Sequence, residues 1–146
     1  MALSRDLITI ERIFHEEAVA GFPRGQAILD RFPQAERIPV PSHWNIPSLH
    51  CNEGAVEDWV RLKRSTLVFG VKKGLAMRPN GRSAHFIAPS VSNGCAMACA
   101  YCYVPRRKGY ANPISLFVNI EAIGAAIRRH AERQGALPEP DQVDPA

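Results

Sequence analysis

The stretch that decides how this chain is read is Ser92–Tyr103, "SNGCAMACAYCY". It holds three of the four cysteines of a 146-residue chain, spaced Cys95-x3-Cys99-x2-Cys102. A structural zinc site usually draws on two C-x2-C-like pairs, and only Cys99 and Cys102 form one. Zinc stays open as an alternative if ligands from Cys95, Cys51, His85 and His50 complete the set. A packing role suits the thiols poorly, because glycine and alanines surround them in a loop. The spacing fits an iron–sulfur cluster best. Cluster irons take cysteine thiolates, and gaps of three and two can wrap three corners of a cubane. Gly94 and the small residues Ala96, Ala98 and Ala100 let the backbone pass close by. Three cysteines leave one of four irons without a protein ligand, and an open position marks catalytic rather than structural metal sites.

Outward from this loop, "AHFIAP" (84–89) reads as a strand running directly into it. "STLVFGV" (65–71) reads as an earlier strand, "RPNGR" (78–82) as the turn between, since Asn-Gly supplies positive φ. "SLFV" (115–118) is the strand after the loop. Asn119 is placed to cap a helix through about Gln134, with Ile120, Ile123 and Ile127 inward and Glu121, Arg128 and Glu132 outward. Strand, loop, strand, helix is the opening of an α/β pattern. Further upstream, "LITIERIF" (7–14) is ambiguous between strand and helix. "RGQAILDRF" (24–32) reads as a short helix, and residues 55–64 as another, with Val56, Trp59 and Val60 on one face. The prolines of "IPVPSHWNIP" keep that segment extended and out of a helix or central strand. No internal repeat or low-complexity tract is present, and "GALPEPDQVDPA" reads as a surface loop.

Nearly half the residues are hydrophobic, which supplies a core, and no run approaches the about 18 apolar residues of a membrane span. The N-terminus, interrupted by Asp6 and Glu11, does not read as a signal peptide. The expected compartment is the cytoplasm, where thiols stay reduced and cysteine clusters more often bind metal than pair. The net charge of +4 is compatible with a polyanionic partner without requiring one. Basic residues gather at Arg61, Lys63 and Arg64, at Lys72 and Lys73, and at Arg106, Arg107 and Lys108.

The C-x3-C-x2-C loop after a strand, with the aromatic Tyr101 before the third cysteine, resembles the signature of the radical S-adenosylmethionine (radical SAM) enzymes. Within that superfamily, "SAHFIAPSVSNGCAMACAYCYVPRRKGYANPISLFVNIEAI" resembles spore photoproduct lyases, with Tyr103 after the third cysteine and a "VN" strand end leading into a helix. "STLVFGVKKGLAMRPN" is similar to the lead-in strands of the same family. The resemblance covers residues 60–130 well and the first 60 weakly.

That resemblance implies an α/β fold: an N-terminal extension plus the first βα units of an incomplete radical SAM partial (β/α) barrel. It divides the chain into an N-terminal α+β region (1–83) and the start of the core (84–146). It implies that Cys95, Cys99 and Cys102 hold a [4Fe–4S] cluster and that S-adenosyl-L-methionine occupies the open iron. One electron from an external donor then yields a 5′-deoxyadenosyl radical, which in this family opens a methylene-bridged thymine dimer in damaged DNA. Tyr101 would lie near the adenine or the cluster, against an ordinary loop-packing role. Tyr103 matches a tyrosine implicated in relaying the radical, against a core tyrosine. Arg106, Arg107 and Lys108 could hold DNA phosphates, against a solvated basic loop. Lys72 and Lys73 read as an exposed strand end, Cys51 as a plain free thiol, His85 as a structural histidine. No cysteine follows Cys102, where the family's hydrogen donor lies, and the later S-adenosylmethionine-binding motifs are absent. The expectation is therefore the N-terminal part of a longer enzyme, completed by a C-terminal half. Two alternatives remain: a radical SAM enzyme with another substrate, and a zinc-stabilised basic nucleic-acid-binding module.

Overall fold

The computed structural model describes residues 7–50, 56–80, 84–99, 101–102 and 110–135. They fall into two compact units: Met1–Val71 with Ser92–Val118, and Lys72–Val91 with Asn119–Ala146.

The first unit is built on a sheet. β1 (Arg12–Glu16), β2 (Glu36–Val40), β3 (Thr66–Gly70), β6 (Ser92–Asn93) and β7 (Ile114–Phe117) lie in the order β2-β1-β3-β7-β6. β1 pairs in parallel with both β2 and β3, and β3 pairs in parallel with β7. β6 alone runs antiparallel, against β7. Parallel strands need crossovers, supplied here by helix α1 (Pro23–Leu29) between β1 and β2 and helix α2 (Val56–Ser65) between β2 and β3. All five residues of β3 are buried, as expected for the middle strand of a sheet covered on both faces. Alternation sends Ile13, Leu67 and Phe69 to a core shared with Val19, Leu29, Ala35 and Val118. Phe14 and Val68 pack on the other face with Ile46 and Leu49.

The ambiguous segment 7–14 resolves as strand only from Arg12 onward. Proline in β2 is tolerated because β2 is the sheet edge, where a missing N–H costs no ladder bond on the open side. The expected strand 84–89 is the main correction. Only Phe86–Ile87 (β5) is paired, antiparallel to Arg78–Pro79 (β4), in a hairpin of its own. Pro89 has no N–H to continue a ladder, and the strand that enters the cysteine loop is the two-residue β6. Pro79 and Arg78, expected in the turn, belong to the strand; the Asn80 N–H donates to the His85 carbonyl at 3.1 Å.

The second unit holds that hairpin and helix α3 (Ile120–Gln134). Ile123 and Ala126 are buried there and Ile127 is half-buried, but Ile120, expected inward, is 36% exposed. Asn119 stands at the cap position without capping. Its side chain instead accepts the Lys72 N–H at 2.8 Å and donates to the Lys72 carbonyl at 3.0 Å. Those two bonds turn the amide toward the Lys72 backbone rather than toward the first turn of the helix.

Candidate metal centre

The cysteine loop leaves the carboxyl end of β6. Because β6 is antiparallel, that places the loop at the amino end of β7. Gly94 begins it at φ +88°, a conformation that glycine adopts without the steric cost other residues bear. A side chain here would also collide with the Pro113 carbonyl oxygen. The Cys95 N–H then donates to the Asn112 carbonyl at 3.3 Å. One residue on, the carbonyl of Ala96 accepts from Arg64 Nε at 3.1 Å. Ala96 is buried, while Cys95, Met97, Ala98 and Cys99 around it are exposed. At the far end the Cys102 N–H donates to the Cys99 carbonyl at 3.0 Å and closes a turn. Tyr101 stands on that turn, 88% exposed.

The three thiols are free, Cys95 and Cys99 exposed and Cys102 half-buried. The Met97 N–H donates to Cys95 Sγ at 3.3 Å. Hydrogen bonds of this kind to sulfur are a regular part of iron–sulfur sites. The donor set therefore fits a thiolate-ligated cluster in chemistry, exposure and loop anchoring. Among the described residues, no three His, Cys, Asp or Glu side chains are gathered as a preformed ligand group.

Tyr103, Arg106, Arg107 and Lys108 lie outside the described residues, as does Cys51. Where the chain resumes, Tyr110 forms a bridge with His50, the two rings 5.1 Å apart. The Ala111 N–H donates to the Leu49 carbonyl at 2.8 Å. Burial pushes the Tyr110 phenol above its ordinary pKa. In the second unit, exposed His85 lines a cleft of about 220 Å³ with Arg78, Phe86 and His130. Lys72 is half-buried and Lys73 exposed just after β3.

At the opposite end of the parallel strands lies a constellation that the sequence did not announce. Glu16, the last residue of β1, is buried with His43. Glu16 Oε1 accepts from the His43 N–H at 3.1 Å and from His43 Nδ1 at 2.8 Å, and Oε2 accepts the Val71 N–H at 3.0 Å. A carboxylate can only accept, so Nδ1 carries the proton. Burial, the largest single influence, pushes the Glu16 carboxyl up. The amides of Val71 and His43 and the imidazole outweigh it and hold its pKa below the ordinary value. His43 packs against Phe117 and Trp44, each ring 5.2 Å away. It also lies so close to Gly70 that a Cβ there would sit 2.5 Å from Nδ1. His43 Nε2 is buried without a hydrogen-bond partner among the described residues. The partners are 27 residues apart in sequence, with no periodic signal to link them.

A mostly parallel sheet with an anchored loop of three free thiols makes this an α/β protein whose C-x3-C-x2-C loop resembles the radical SAM signature. The family model for spore photoproduct lyase matches residues 8–140. The chain belongs to the spore photoproduct lyase family. It is 26% identical over 124 residues to the spore photoproduct lyase of Geobacillus sp. (strain Y412MC61), covering 84% of this chain and 36% of that protein. A solved spore photoproduct lyase complexed with dinucleoside spore photoproduct matches with a TM-score of 0.73 at 22% identity, over 90% of this chain and 38% of that one. A substituted variant with bound AdoMet and the same dinucleoside matches with a TM-score of 0.71 at 23% identity, over 86% and 37%. At those identities the structures bear on fold, and this chain spans little more than a third of the length of each relative. Among the described residues no helix is long and apolar enough to cross a membrane.

Proposed function

We propose that this chain supplies the cluster-binding part of a radical SAM lyase that repairs a thymine dimer lesion in DNA. The observation that carries the reading is the loop of three free, accessible thiols, Cys95, Cys99 and Cys102, in a chain of the spore photoproduct lyase family. These cysteines would hold a [4Fe–4S] cluster, with S-adenosyl-L-methionine as co-substrate. Bound there, the two would supply one-electron chemistry for opening the lesion.

The chain's own residues do the positioning. Gly94, Asn112 and Arg64 fix the near end of the loop, and the Cys99–Cys102 turn fixes the spacing of the other two sulfurs. Tyr101, exposed on that turn, is available to the adenine or the cluster. Tyr103 is assigned the radical relay, and Arg106, Arg107 and Lys108 contact with DNA phosphates. Residues 1–83 form the region before the core and 84–146 its beginning. Turnover is expected to need the length that the relatives have and this chain does not span, together with an electron donor in the cytoplasm.

Anaerobic reconstitution with iron and sulfide tests this. A brown protein with about four irons, lost in Cys99→Ala, supports the reading; a colourless protein holding stoichiometric zinc overturns it. With a cluster present and the remaining length supplied, cleavage of S-adenosylmethionine without action on thymine-dimer DNA would replace the substrate alone.

A further inference from the structure

Arg64 sits 32 residues before Ala96, in the last turn of α2, yet it reaches the near end of the cysteine loop. Its own backbone is held, since its carbonyl accepts the Thr9 N–H at 3.0 Å and that of Ser65 accepts the Glu11 N–H at 2.9 Å. From this fixed base Nε donates to the Ala96 carbonyl at 3.1 Å.

That carbonyl and the Met97 N–H belong to one peptide unit, and the described residues contain no cis peptide bond. In a trans peptide the C=O and the N–H point in opposite directions within one plane. A group that holds the oxygen therefore aims the N–H. Here the N–H points at Cys95 Sγ, 3.3 Å away. The guanidinium also carries a permanent charge. It draws electron density toward the carbonyl oxygen and makes the N–H at the other end of the plane a better donor.

We propose that Arg64 is a positioning residue of the cluster loop, acting through the Ala96–Met97 peptide to aim and strengthen the hydrogen bond onto Cys95 Sγ. Its consequence rests on the cluster reading above. Hydrogen bonds to ligand sulfurs help set cluster potentials. A donor onto sulfur favours the more negative, reduced form, so Arg64 raises the potential of a cluster held by this loop.

The test uses the whole chain and two readouts. In the metal-free protein, hydrogen exchange of the Met97 amide is expected to accelerate about tenfold in Arg64→Met. In the reconstituted protein, the reduced-to-oxidised ratio at a fixed solution potential, read by electron paramagnetic resonance, is expected to fall about tenfold. That corresponds to a potential lower by about 59 mV for one electron. Arg64→Lys, which keeps the charge and a donor, should recover part of both effects. If the methionine variant does not fold, Arg64→Gln reads the loss of charge in its place. Exchange and potential equal to wild type in the neutral variant overturn the proposal. A wild-type chain that takes up no iron overturns the functional reading instead. The tether is then judged on the exchange alone, where a wild-type Met97 rate in Arg64→Met sinks it and a faster rate supports it.

Discussion

Glu16 and Cys95 are both ligand-type side chains, at opposite ends of the same parallel strands, and the structure treats them in contrary ways. Glu16 is sealed: its two oxygens take three N–H groups, one of them from the His43 imidazole, and little of it reaches solvent. Cys95 is exposed, its sulfur meeting one backbone N–H. A buried carboxylate with both oxygens engaged is committed to the fold, and it holds β1, the residue after β3 and the 42–45 turn in fixed relation. The thiol loop is the reverse. Its backbone is tied down at Gly94, Cys95 and Ala96, while its thiols stay free, two exposed and one half-buried. Polar residues at one end thus serve the fold, and the function proposed above gives those at the other to chemistry.

Removing the sealed carboxylate should give the largest effect. Glu16→Ala strands three donors in the interior, the His43 imidazole among them, and loss of one partner from a buried pair costs about 3–5 kcal/mol; urea unfolding should show it. Cys99→Ala, by contrast, should leave the unfolding midpoint unchanged, and a large loss there would break the comparison. Gly70→Ala comes next. The new methyl group meets the His43 ring, and overpacking of this kind costs about 1–3 kcal/mol, readable as a lower melting temperature.

At the open end, Gly94→Ala forces an unfavourable φ and a clash with Pro113, an expense of about 1–3 kcal/mol. Its mark should be local, with faster alkylation of Cys95 and faster amide exchange across residues 94–97. The pH response is smaller and specific to the sealed end. Glu16 has a folded pKa below the ordinary 4.5, so its ionised form binds the native state better. That contribution is complete above about pH 4.5 and is lost as pH falls through the lower folded value. Wild-type stability should drop across this window more than that of Glu16→Gln. Tyr101→Ala, at a site 88% exposed, should change stability by less than about 0.5 kcal/mol. A larger change would mean that the turn packs against something.

The features that could be read from sequence are those with a local signature. Thr66–Gly70 is a short apolar run of β-formers and appears as the buried central strand. Helix α3 shows its period through Ile123 and Ala126, although Ile120 fails the pattern because it sits at the first helical position. "AHFIAP" reads as a strand from its composition, but Pro89 interrupts the ladder, and nothing local shows that Phe86–Ile87 pairs backward with Arg78–Pro79. The thiol loop drew its reading from local features, the cysteine spacing and the aromatic before the third cysteine. Arg64 and the Glu16–His43 pair did not, because each acts across 27 residues or more. An isolated Arg, Glu or His carries no pattern that distinguishes a buried tie from a solvated charge.

Pro39 in β2 makes the sheet directional as an assembling surface. A strand arriving beyond β2 would find one donor missing from its template, so that margin is protected against recruitment. The other margin is built differently. β6 covers β7 only at Ser115 and Leu116, with no register partner beside Ile114 or Phe117. The two margins of one sheet therefore differ in how they meet a further strand: one lacks a donor at Pro39, and the other is only half covered, on the side where the cysteines leave the sheet.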